Sequence, residues 1–124
     1  MSIWSKHDVE SKVRAALVRV RRDGADATRP FITAYQLAIA LEKQDPGLCE
    51  KLDKVLGGEG IGRPNSLVQY IASQLVQRIE RQEIKDIERA FLSVEGVVSM
   101  EFSGDVRSSA AEPMSMFRIK DNVS

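Results

Sequence analysis

The chain has 124 residues and 13.8 kDa, 43% apolar and 29% charged, with 18 basic residues balancing 18 acidic ones. That length suits a single domain spanning residues 1–124, which buries roughly two thirds of its unfolded surface without needing a disulfide or metal. One cysteine (Cys49) and one histidine (His7) exclude an internal disulfide and a His/Cys zinc site, and zero net charge argues neither for nor against a polyanionic partner.

The start, MSIWSKHD, lacks a signal peptide's apolar run, and no stretch approaches the ~20 apolar residues of a membrane span. A cytoplasmic protein with no membrane partner, no cofactor and no evident small-molecule substrate is expected.

In chain order, Val9, Val13, Ala16, Leu17 and Val20 recur at helical spacing. Ser5 stands at the N-cap, Asp8 completes a capping box, and Trp4 staples onto Val9. Gly24 stops this helix, and Glu10 and Arg14 form an i,i+4 pair on it. With Lys12, Arg19, Arg21 and Arg22, this is the most basic region. His7 beside Ser5 and Asp8 is read as part of a cap, because three neighbours in one turn cannot form a triad.

A second helix opens with the T-x-x-Q box of Thr33 and Gln36. Asp45 and Pro46 then suit the start of a third, carrying Leu48, Leu52, Val55 and Leu56 and ending at Gly57. Cys49 is expected as a helix residue without a nucleophilic role.

The loop GGEGIGRPNS, residues 57–66, lacks the lysine of a phosphate-binding G-x-x-x-x-G-K-[ST] loop and the strand that precedes a dinucleotide fingerprint. It reads as a connection. A single phosphate contact at its end is the alternative, because a helix N-terminus has unpaired N–H groups and Arg63, Asn65 and Ser66 lie beside it.

The fourth helix begins there, with Val68, Ile71, Ala72, Leu75 and Ile79 on one face. Opposite lie Gln69, Tyr70, Ser73, Gln74, Gln77 and Arg81, a face almost free of lysine and glutamate. Such side chains hydrogen-bond base edges in a major groove, and they also suit a face packed on another subunit or on the hairpin. Ile84, Ile87, Phe91 and Val94 continue at helical spacing, which predicts a bend near residues 81–83 and a fifth helix up to Gly96. Thereafter Val98, Met100 and Phe102 alternate, and Phe117 and Ile119 resume the alternation across a long small-residue tip, predicting a C-terminal β-hairpin.

The expected fold is α+β and mostly α, with about five helices and that hairpin. Its element order, through TAYQLA and IERAFLSVEGVVSMEF, resembles the winged-helix group of DNA-binding domains with their helix-turn-helix. The resemblance implies a non-enzymatic protein contacting double-stranded DNA as a homodimer, through Arg63, Asn65, Ser66, Gln69, Tyr70, Ser73, Gln74, Gln77 and Arg81. The departure is an 18-residue stretch from Gly47 to Pro64, together with an extra helix, which leaves the fourth or the fifth helix as the contact helix. The alternative function is a protein–protein assembly module that binds no nucleic acid. Exposed Trp4, Met100, Met114 and Met116 are the expected basis for a dimer.

Overall fold

The computed structural model describes residues 3–20, 29–56, 66–93, 95–97, 99–102, 105–108 and 114–120. These form an α+β fold with helices α1 (Ile3–Lys6), α2 (Val9–Val18), α3 (Ala34–Gln44), α4 (Leu48–Leu52) and α5 (Leu67–Glu80). The strands are β1 (Ile32–Thr33), β2 (Ile87–Phe91), β3 (Ser99–Phe102), β4 (Asp105–Ser108) and β5 (Ser115–Ile119). A small antiparallel sheet runs β1-β5-β2, and β3 and β4 form a separate two-stranded ribbon.

The helical and strand periods meet in one core. Val9, Val13 and Leu17 of α2, Leu37 and Leu41 of α3, and Ile71 and Leu75 of α5 are fully buried, and Ile87 and Phe117 join them from the sheet. Phe117 sits opposite Ile32 on one side and Arg89 on the other, so β5 is central and its apolar side chain closes the helical layer. Burial of this kind supplies the main favourable term in folding. The opposite sheet face carries a cross-strand ion pair, Arg118 to Glu88 at 2.8 Å, with the Arg118 guanidinium 4.4 Å from the Phe31 ring.

Local signals account for several boundaries. The Thr33 hydroxyl accepts from the Gln36 N–H while the Gln36 side chain accepts from the Thr33 N–H, the reciprocal box expected from the sequence. The Glu10–Arg14 pair also forms, at 3.2 Å.

Elsewhere the structure corrects the expectation. The first helix is two: the chain breaks at Asp8, whose φ of 53° is left-handed and whose side chain makes no capping bond. The short α4 does not start on Asp45 and Pro46. At its start the Gly47 and Cys49 N–H groups donate to the Glu42 carboxylate of α3 at 2.6 and 2.9 Å, and the Leu48 N–H donates to the Asp45 carbonyl at 3.0 Å. It ends at Asp53, with Val55 leaving it to bridge Ser66.

The predicted fifth helix is instead strand β2. After α5 the chain turns through Gln82 at φ 61°, with the Glu83 and Ile84 N–H groups both donating to the Arg78 carbonyl. Ile87 to Phe91 then pair with β5 in full register. The hairpin is also paired differently: β3 returns on β4, with Ser99 opposite Ser108, while the Phe117 strand pairs with β1 and β2.

One ion pair ties the two layers together. Arg14 of α2 reaches Asp86, just before β2, at 2.5 Å. Its hydrogen bond holds the Asp86 carboxyl below its ordinary pKa, against a smaller opposing effect of burial. Because the folded-state pKa lies below the unfolded one, this stabilisation is complete above pH about 4 and is lost as pH falls through the folded value. Asp86→Asn is expected to lower the melting temperature at pH 7 and to flatten its fall under acid; equal acid slopes in the two proteins would contradict this.

Candidate nucleic-acid interface

Helix α5 carries the polar face expected from the sequence, because at 3.6 residues per turn Ser66, Gln69, Ser73, Gln77 and Glu80 form one row and Tyr70, Gln74 and Arg81 the next. Its opposite side, Leu67, Val68, Ile71, Ala72 and Leu75, is buried in the core. Of the expected site residues, Arg63 and Asn65 lie outside the described residues, as does the glycine loop to which they belong. Ser73, Gln77 and Arg81 are exposed, Gln69, Tyr70 and Gln74 are half-buried, and Ser66 is buried.

Ser66 is committed to structure. Its hydroxyl accepts from the Gln69 N–H at 3.0 Å as the N-cap of α5. Leu67 and Val68 donate to the carbonyls of Val55 and Leu56 at 2.7 and 3.1 Å, and Tyr70 donates to the Ser66 carbonyl at 3.0 Å. The first four N–H groups of α5 are therefore all satisfied within the chain. A phosphate at this corner would have to be held by side chains, which corrects the unpaired-donor argument made from the sequence.

Beside the first turns of α5 is an open pocket of about 430 Å³, lined by Lys54, Ser66, Gln69, Tyr70 and Ser73. Lys54 belongs to this surface although nothing in its sequence context marks it. Its ammonium lies 4.8 Å from the Tyr70 ring centroid.

From that point a stack runs along the flank of the helix. Tyr70 meets Trp4 of α1 with ring centroids 6.2 Å apart and tilted by 55°, and the Arg78 guanidinium lies 4.8 Å from the Trp4 ring centroid. Each of the two adjoining rings thus has a cation over it, a favourable arrangement for ring quadrupoles. Burial raises the Tyr70 phenol's pKa, outweighing the opposite effects of Arg78 and the Trp4 backbone.

Arg78 is the residue that sequence reading missed. It donates to the Gln74 carbonyl oxygen at 3.3 Å and lies 3.5 Å from a Glu83 carboxylate oxygen. Its position four residues after Gln74 was the available signal.

On the exposed row, Gln77 donates to the Ser73 hydroxyl at 3.1 Å. Glu80 adds a carboxylate at the C-terminal end, neutralised by Arg89 of β2 at 3.1 Å. The surface is therefore polar and nearly neutral at its centre, with cations on its borders.

Two features expected to promote a dimer are buried instead: Trp4 is 3% and Met114 5% exposed. Met116 is half-buried, and the Met100 side chain lies outside what is described. Among the described residues, no helix is long and apolar enough to cross a membrane, and no group of three or more His, Cys, Asp or Glu side chains is arranged to hold a metal. Compared with family models, curated proteins and solved structures, the chain finds no match.

Proposed function

We propose that this chain is a non-enzymatic DNA-binding domain of winged-helix-like architecture, with α5 as the helix that enters the major groove. The observation that carries the reading is the row Gln69, Ser73 and Gln77, exposed or half-exposed and bordered by Arg81. Amides and hydroxyls of this kind offer directional donors and acceptors to base edges, and an arginine at the rim suits a phosphate. Topology supports it as well. Helices are followed by a strand, a two-stranded ribbon and a returning central strand, an order compatible with that architecture. Because residues 87–91 form a strand and not a helix, we take α5 as the contact helix of this reading.

A second reading, a protein–protein assembly module, is favoured by one observation. Phe91 at the end of β2 is 66% exposed, an unusual position for a large aromatic side chain.

Fluorescence anisotropy with labelled duplexes separates the two. The DNA reading predicts affinity that falls linearly on a log–log plot between about 50 and 200 mM salt, with a slope near −0.9 per phosphate contact. Arg81→Ala should reduce that slope by about one unit. No salt-dependent binding to any duplex would reject the DNA reading and leave the assembly reading.

A further inference from the structure

We propose that the outer edge of β2 pairs antiparallel with the same edge of a second copy of this chain, on a twofold axis at Ala90, so that two three-stranded sheets become one. The proposal rests on the sheet and not on the DNA-binding reading above.

With the sheet order β1-β5-β2, β2 is an edge strand. The Leu92 N–H donates to the Met114 carbonyl at 2.8 Å, and the Lys120 N–H donates to the Asp86 carbonyl at 2.7 Å. In an antiparallel ladder the residues that bond a given neighbour alternate. Residues 86, 88, 90 and 92 therefore face β5, and Ile87, Arg89 and Phe91 turn their N–H and C=O groups to the outer side. Among the described residues no strand takes these groups up.

Such a row is a template for another strand, and proteins commonly guard it with charge. Here the charges are neutralised within the chain, Glu88 by Arg118 at 2.8 Å and Arg89 by Glu80 at 3.1 Å. At the end of the row Phe91 is 66% exposed.

The strand that this row fits is its own copy. The outward groups lie on odd-numbered residues, so two copies related by a twofold axis pair them only if the axis passes beside a residue. Centred on Glu88 or Arg89, the pairing sets like charges directly opposite each other, which destabilises a sheet. Centred on Ile87 or Phe91, it keeps a single pair within the strand. Centred on Ala90, it sets Arg89 of each copy opposite Phe91 of the other, with the two alanines facing each other on the axis. The Arg89 guanidinium already lies 5.8 Å from the ring of its own Phe91, within the reach of a cation–aromatic contact. In the dimer each ring gains the arginine of the other copy.

Cysteine cross-linking tests the register. In the Ala90-centred pairing the two Ala90 residues form a non-hydrogen-bonded pair with Cα atoms about 4.5 Å apart, within the span of about 4.4–6.8 Å that a disulfide bridges. With Cys49→Ser removing the one native cysteine, Ala90→Cys should cross-link into a dimer under mild oxidation, and Arg89→Cys and Phe91→Cys should not. Sedimentation equilibrium of the wild-type protein should show a species of twice 13.8 kDa as concentration rises. Ala90→Glu and Ala90→Lys, each alone, should weaken this association by about tenfold or more, and an equal mixture of the two should restore it, a recovery that misfolded variants would not give. A 13.8 kDa species alone at every concentration, a dimer that Ala90→Glu leaves unchanged, or cross-linking through Arg89→Cys or Phe91→Cys in place of Ala90→Cys would overturn the proposal.

Discussion

Replacing Trp4 by alanine is expected to destabilise the fold by about 3–5 kcal/mol, the usual cost of truncating a buried aromatic side chain. Trp4 is 3% exposed although it lies in a four-residue helix at the start of the chain. Its ring contacts both Tyr70 and Arg78, so truncation removes its packing on α5 and the cation–aromatic contact together. A domain of this size has only about 5–15 kcal/mol of stability, so the melting temperature should fall by about 10–20 °C. Trp4→Phe keeps a ring for Arg78 but loses the indole N–H that donates to Glu10, and should fall between the two proteins. Circular dichroism melts decide the matter. A loss below about 1 kcal/mol for the alanine variant, within the range of an ordinary surface substitution, would mean that α1 does not brace α5.

The second large effect falls on binding. Gln77→Glu adds one negative charge to the middle of the proposed contact row and changes almost nothing in size. Gln77 is exposed and its side chain bonds to the exposed Ser73 hydroxyl, so stability should change by no more than about 0.5 kcal/mol. A carboxylate facing the phosphates of a groove is a like-charge juxtaposition worth several kcal/mol. Duplex affinity should therefore fall by about a hundredfold or more at low salt. Equal affinities for the two proteins would remove Gln77 from the interface.

The parts of this fold that were legible in the sequence are those whose partners lie within one turn. Thr33 and Gln36 cap each other across three residues, Glu10 and Arg14 pair across four, and the buried face of α5 repeats at helical spacing. The errors arise where a distant partner decides. Ile84, Ile87 and Phe91 match a helical period, yet Ile87, Arg89 and Phe91 also alternate, and only the presence of β5 selects the strand. Likewise α4 begins on the Glu42 carboxylate, which belongs to the preceding helix.

The candidate face was legible as composition, since lysine and glutamate are rare along it until Glu80. Its internal wiring was not. The stack of Lys54, Tyr70, Trp4 and Arg78 joins three separate stretches of chain, and no local pattern announces it. Nor did the sequence show that the first N–H groups of α5 are taken, because two of their acceptors are the carbonyls of Val55 and Leu56 on the far side of the glycine loop.

The central claim is that α5 meets DNA through its exposed polar row, and backbone amide NMR during titration with a short duplex tests it most directly. The account predicts that the largest shift changes fall on Gln69, Ser73, Gln77 and Arg81, with the buried Ile71 and Leu75 changing less. Changes centred instead on Phe91 and the edge of β2, or no change at low salt, would contradict it.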